Sequence, residues 1–315
     1  MVSIKRLFAV PELLILAVLA LLAGFFELQN PLFLSWGNIA VLLRSSAFTG
    51  ICAIGMAVLL ISGQIDISIG SIAGLASVAF ATLVTYKLPF IAAAGLGIVL
   101  GGFCGFINSQ LVLRLRISAF LSTIATMYVF RGLAMTLTNG YTVYPLPAAV
   151  NSFGDAQPFG VSWSFWIFAA LLVIIELVLY FTVWGLEVKA TGSDKEIASW
   201  TEVNVKKVNM ETFILCGALA ALAAILLTAR VQAGQPTMGQ GWELNAIAAA
   251  AIGGVSLSGY TGSMVGVFLG VLLIQVLANG LVAMGASAYL QPIEVGVILA
   301  CTAAIDVRRR ERLKI

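Results

Sequence analysis

The chain has 315 residues, 61% hydrophobic and 10% charged, with a mean hydropathy of +1.05. Soluble domains carry about 25% charged residues, so too little polar surface is present to cover this chain in water, and a lipid-facing surface is the physical alternative. The net charge is only +3 and histidine is absent, which removes the usual general base and the commonest nitrogen ligand for metals.

A bilayer-spanning helix needs roughly 20 mostly apolar residues. In chain order, the spans predicted by uncharged or nearly uncharged runs are Glu12–Phe26, Ser45–Ile65, Ile67–Tyr86, Leu88–Leu113, Ser118–Leu137, Ala156–Ile175 and Thr212–Ala229. The stretch from Leu244 to Ile293 has no charge and room for two spans, dividing at the Gly/Ser cluster Ser256–Ser263. Tyr289–Ile305 completes a set of ten. Lys5 and Arg6 precede the first run without a small-x-small cleavage signal, which predicts an uncleaved first span rather than a signal peptide. The fold class expected is therefore all-α, a polytopic membrane protein, with residues 1–315 forming one transmembrane domain and residues 185–211 its one long polar loop.

Orientation follows from lysine and arginine in short loops. With the N-terminus inside, ten crossings place Lys5, Arg6, Arg114, Arg116, the four lysines of the loop Glu187–Glu211 and the five basic residues of Arg308–Lys314 on the cytoplasmic side. That leaves Arg44, Lys87, Arg131 and Arg230 near the opposite face or within spans; Arg131 and Arg230 read as interfacial snorkelers. The two halves are weakly alike: Gly63–Ala76 matches Gly239–Gly254, pairing Asp66 with Glu243, and Leu96–Leu111 matches Leu269–Val282, pairing Asn108 with Asn279. Each matched pair runs in opposite directions across the membrane, the pattern of an inverted repeat.

Three polar constellations stand out. SGQIDISIGS (Ser62–Ser71) sets Asp66 and Ser68 between Gly63 and Gly70, with a serine on either side. A carboxylate at membrane depth costs about 2.5–3.5 kcal/mol on insertion scales, so Asp66 either sits at a helix break in a translocation pathway or caps the next helix. GQGWELNAIAAAAIGG (Gly239–Gly254) places Glu243 and Asn245 ahead of a run of small residues, which suits tight packing plus a cap, or substrate contact. In the loop Trp184–Thr212, Ser193 followed by Glu196 is a capping-box signal for a short helix with Ile197, Ala198 and Trp200 on one face, either a docking helix for a partner or an ordinary surface helix. Glu176 interrupts a strong apolar run, and Cys52, Cys104, Cys216 and Cys301, without C-x-x-C spacing, read as small buried hydrophobes. No Walker-type G-x-x-x-x-G-K-[ST] is present.

These segments resemble the permease family of bacterial monosaccharide ABC importers, the ribose, xylose, arabinose, rhamnose, galactofuranose and autoinducer-2 systems. GQIDISIGS is similar to that family's G-G-I-D-L-S-V-G-S, Ile117–Ala134 to P-x-F-I-x-T-L-G-T-x-x-x-x-R-G-L, Gly239–Gly254 to G-x-G-x-E-L-D-A-I-A-A-x-x-I-G-G, Ser256–Ser263 to S-L-x-G-G-x-G-S, and Leu277–Leu281 to the late N-G-L. The resemblance runs from about residue 35 to residue 307 in the family's order. It implies a ten-helix permease without catalytic residues, metal or cofactor, that dimerises alone or with a similar permease, a periplasmic sugar-binding protein on one face and an ABC-type ATPase subunit on the other. Asp66, Ser68, Asn108, Glu243, Asn245 and Asn279 are the residues expected in the substrate pathway or its framing. Ser193, Glu196, Ile197, Ala198, Trp200 and Asn204 are those expected in the ATPase-coupling loop. This chain departs from the family at Gln64, Glu202 and Tyr260, which replace glycines, and at Ser199, which replaces an arginine. Two rivals remain: an ion-coupled secondary transporter, for which Glu176 is the one fair intramembrane acid, and a membrane enzyme, for which no acid–base constellation is evident.

Overall fold

The structure is a computed structural model, and it describes residues 11–200 and 202–313. The basic residues at 5, 6 and 314 lie outside the described residues. Thirteen α-helices occur among the described residues: α1 (Pro11–Gln29), α2 (Trp36–Ile61), α3 (Ile69–Thr85), α4 (Phe90–Leu113), α5 (Ala119–Thr138), α6 (Ala148–Asp155), α7 (Trp163–Phe181), α8 (Val183–Ser193), α9 (Lys195–Trp200), α10 (Val205–Val231), α11 (Trp242–Ile252), α12 (Met264–Ala283) and α13 (Gln291–Leu313). Seven are long and apolar enough to cross a bilayer, and α3, α11 and the first part of α13 are shorter apolar helices, ten in all. The protein is a polytopic all-α membrane protein.

Charges led the predicted ends astray. α2 starts at Trp36, well before Arg44, and α7 runs past Glu176 to Phe181. A charge inside a span is tolerated when a protein group meets it. Glu176 is such a case: its Oε2 accepts from the Met264 N–H at 2.8 Å, while Ser263 Oγ donates to Glu12 Oε1 at 2.9 Å, so acids from α1 and α7 converge on the positive end of α12. At its start, α7 cannot begin at Ala156, because Pro158 and the left-handed Gly160 (φ 77°) intervene before Ser162 caps it.

The inverted repeat predicted from weak sequence likeness reappears as packing. α2–α5 and α10–α13 form two four-helix units with the same neighbours: α3 packs on α4 and α5, as α11 packs on α12 and α13. Across the units, α10 packs on α4 and α3, as α2 packs on α12 and α11. Matched helices are five crossings apart, so they run in opposite directions. α2 and α10 pack on each other at the centre, and every residue from Ser46 to Ile61 is buried. Small residues allow the close crossings, as expected where lipid supplies no hydrophobic drive for helices to associate. Gly101 and Gly105 of α4, spaced as GxxxG, press on the backbone of Gly217 and Phe213 in α10, leaving no room for a Cβ. Cys52, Cys104 and Cys216 are buried in this core, but Cys301 is exposed on α13, because an apolar run does not tell which of its faces meets protein and which meets lipid.

Candidate functional site

Two of the ten helices are too short to span alone. At 1.5 Å per residue, α3 (17 residues) is about 26 Å long and α11 (11 residues) about 17 Å, against a hydrocarbon core of about 30 Å. They occupy corresponding places in the two halves, and each is preceded by non-helical backbone, the pattern that marks the working centre of many transporters.

The first break starts where α2 ends. Gly63 takes the left-handed conformation (φ 74°), its N–H donating to Leu60 O at 2.8 Å while Gln64 N–H donates to Leu59 O at 3.0 Å, a Schellman closure. Beyond it, Asp66 Oδ1 accepts from the N–H and hydroxyl of Ser68 at 2.7 and 2.6 Å, and Asp66 Oδ2 accepts from Asn108 Nδ2 at 2.9 Å. Asn108 Nδ2 also donates to Ser68 Oγ at 2.8 Å, and Ile67 N–H donates to Thr123 Oγ1 of α5 at 3.1 Å. Asp66, Ser68, Asn108 and Thr123 are fully buried. A desolvated carboxylate is tolerable here because three donors meet it. Asp66 thus closes a turn on Ser68, the N-cap residue just before α3, and binds α4 as well; it holds the break rather than lining open space.

The second break runs along α3. Gln235 N–H donates to Ser77 Oγ at 3.1 Å, and Gly234 and Gly239 press on Ala81 and on Gly70. Arg131 of α5 secures this descent: its Nη1 donates to the Pro236 and Met238 carbonyls, the latter at 3.0 Å, and its Nη2 to the Gly70 carbonyl at 2.8 Å. The expectation that Arg131 snorkels to the interface is therefore corrected. Its guanidinium turns inward because two backbone carbonyls freed by the second break, Pro236 and Met238, need a donor, and its planar fork reaches the Gly70 carbonyl in the first turn of α3 as well. Arg230, by contrast, forms an exposed ion pair with Asp155 at 3.2 Å, near the surface as expected. Sequence reasoning missed Arg131 although it sits in the R-G-L of the Ile117–Ala134 motif; that position was the available signal.

Glu243 lies in the first turn of α11, half-buried, where a negative charge suits the helix dipole. A Cβ on Gly70 would fall 2.5 Å from its Oε2, so the two short helices start side by side with one acid each. Asn245 follows two residues later, also half-buried. The matched asparagines part company. Asn108 binds Asp66, whereas Asn279 Oδ1 accepts from Asn38 Nδ2 at 3.1 Å and ties α12 to the start of α2, away from Glu243. Against the first break lies a cavity of about 500 Å³ bounded by Gly63, Gln64, Ile65, Ser118, Ile247 and Leu257.

The polar loop folds as α8 and α9. The capping box expected at Ser193 is corrected by one residue: Ser193 ends α8, and Asp194, in extended backbone (φ −155°, ψ 115°), accepts from Glu196 and Ile197 N–H at 2.8 and 3.1 Å. Its neighbour Glu196 stands in the first turn of α9. An N-cap needs that extended geometry, which a residue still inside a helix cannot supply. The predicted single face also divides. Ile197 and Trp200 are exposed (54% and 77%), while Ala198 turns inward. Asn204 caps α10, its Oδ1 accepting from Lys207 N–H at 3.0 Å. Glu202 and Tyr260, which stand where the resembled family has glycine, both keep left-handed backbone (φ 64° and 74°).

A bundle of inverted halves with paired broken helices is the architecture of a multi-pass membrane permease. The chain matches the family described as branched-chain amino acid transport system / permease component over residues 38–303, and it belongs to that family. It is 32% identical over 299 residues to the ribose import permease protein RbsC of Escherichia coli K12, covering 94% of this chain and 93% of that protein. It is 34% identical to the ribose import permease protein RbsC of Bacillus subtilis (90% and 88% covered) and 30% identical to the L-arabinose ABC transporter permease protein AraH of Azospirillum brasilense (95% and 88%). No solved structure matches the chain.

Proposed function

We propose that this protein is the transmembrane permease subunit of a bacterial ABC importer that moves a monosaccharide, ribose or a related sugar, from periplasm to cytoplasm. The full-length similarity to ribose and arabinose permeases carries the reading, since it spans both breaks and the loop between the halves. The energy comes from ATP hydrolysis on a separate ATPase subunit that docks on α8–α9, where Ile197 and Trp200 offer apolar side chains to solvent. A periplasmic sugar-binding protein meets the opposite face. Two permease copies, or this one and a similar one, frame the path, with each chain acting as a single permease domain. Both termini are cytoplasmic, which puts the α8–α9 loop, the first break and the Ser256–Ser263 turn on the ATPase side.

In this reading Asp66, Ser68, Asn108 and Arg131 hold the broken backbone in shape, Glu243 and Asn245 frame the start of α11, and Asn279 braces the periphery. The cavity beside Gln64 and Ser118 is the exit vestibule: roomy enough for a sugar, polar at two points and otherwise apolar, so that release is not opposed by tight binding. The test is reconstitution of the permease with its ATPase and binding protein, measuring ATP hydrolysis and uptake for D-ribose, D-xylose and L-arabinose. Stimulation by one of these sugars is expected. A complex indifferent to every monosaccharide, or uptake that persists without the ATPase subunit, overturns the reading, the latter outcome favouring an ion-coupled carrier.

A further inference from the structure

We propose that Gly192 and Gly259 form a rigid joint through which movement of the α8–α9 loop reaches both halves of the permease at once. The proposal rests on the reading that this loop is where the ATPase docks. Three backbone segments meet at one point on the loop face of the bundle. Gly192 is next to last in α8, and a Cβ there would overlap the Ile61 carbonyl oxygen and lie 2.8 Å from Tyr260 N. Gly259 approaches from the other side; a Cβ on it would overlap the Gly192 carbonyl and lie 3.0 Å from Gly192 Cα. The Tyr260 N–H closes the contact by donating to Ile61 O at 2.9 Å.

Each strand of this junction leads somewhere. Ile61 is the last residue of α2, and five residues later comes Asp66, so the contact grips the first break directly. The Ser256–Thr261 turn, closed by Ser256 N–H donating to Thr261 O at 3.0 Å, belongs to the second half and leads into Ser263, which caps α12. Gly192 belongs to the connector between the halves. Backbone against backbone, with no flexible side chain between, leaves no cushion, so a displacement of α8 carries the other two segments with it.

The experiment uses the complete complex of permease, ATPase and binding protein loaded with D-ribose. In the Gly192→Ala and Gly259→Ala variants the complex still assembles and hydrolyses ATP, but ribose uptake per ATP hydrolysed falls at least tenfold. Gly37→Ala, where a Cβ meets open space, serves as the control and leaves that ratio unchanged. Independently of folding effects in the variants, spin labels at exposed Ser193 and Ser258 report a constant distance between nucleotide-free and ATP-bound complexes, while the distance from Ser193 to Tyr141 changes. Normal coupling in both glycine variants, or a Ser193–Ser258 distance that shifts with nucleotide, overturns the joint. If the wild-type complex ignores D-ribose but responds to another sugar, that sugar replaces it in the assay; if it responds to none, the transport reading fails, and the label distances still decide whether the three segments move together.

Discussion

Replacing Arg131 separates an inward clamp from a surface snorkeler. The guanidinium donates to three carbonyls on two different segments, Gly70 at the head of α3 and Pro236 and Met238 in the second break. Interhelical hydrogen bonds within membranes contribute about 0.6 kcal/mol on average and up to about 1.7, so losing three together in Arg131→Ala predicts a loss of about 2–5 kcal/mol. Arg131→Lys is the informative variant. A lysine at the interface snorkels as well as arginine does, and the change would then be silent. A clamp needs the planar fork: a single ammonium reaches one carbonyl well, so about two thirds of the effect, roughly 1–3 kcal/mol, remains after the conservative change. The assay is thermal unfolding of the purified complex in detergent, paired with uptake in proteoliposomes. A lysine variant matching wild type in both would refute the clamp.

Other expectations follow from the same geometry. Asp66→Ala with Asn108→Ala should be non-additive by about 0.5–3 kcal/mol in a double-mutant cycle, whereas Glu243→Ala with Asn279→Ala, whose side chains do not meet, should add to within about 0.5. Asp194→Ala should lose about 1 kcal/mol of local stability, seen as faster amide exchange across α9, while Ser193→Ala leaves it unchanged. Tyr260→Gly should raise thermal stability by about 0.5–1 kcal/mol, because the left-handed backbone disfavours a side chain by more than glycine adds to the entropy of the unfolded chain. A Tyr260→Gly variant less stable than wild type would mean that the exposed ring makes contacts worth more than the backbone relief.

The spans were legible because lipid imposes a length and an apolar composition that few soluble segments share. Their ends were not, since the reading assumed that a charge marks the membrane edge; Arg44 and Glu176 violate it by lying inside α2 and α7. Asp66 was found because a carboxylate in apolar surroundings is costly and stands out. Its role was ambiguous, because the donors that decide it come from Ser68 nearby and Asn108 on another helix. Beyond its place in the R-G-L motif, nothing around Arg131 signals its role: its three acceptors are backbone carbonyls, which no side-chain pattern announces. The asymmetry between Asn108 and Asn279 was likewise invisible, since similar spacing along two chains of helices says nothing about which side chain turns towards which.

An 11-residue helix such as α11 is too brief to be held by a bilayer unaided, and the segment 232–241 that feeds it exposes carbonyls that lipid cannot satisfy. Arg131, which meets two of them, is synthesised about a hundred residues earlier, on α5. During synthesis the first half must therefore already be in the membrane, with its arginine in position, before the second half can thread its broken strand alongside α3. Biogenesis in that order makes the early half a template for the late one, and a chain with Arg131 removed should stall with α11 and α12 incompletely inserted even where α1–α7 are in place.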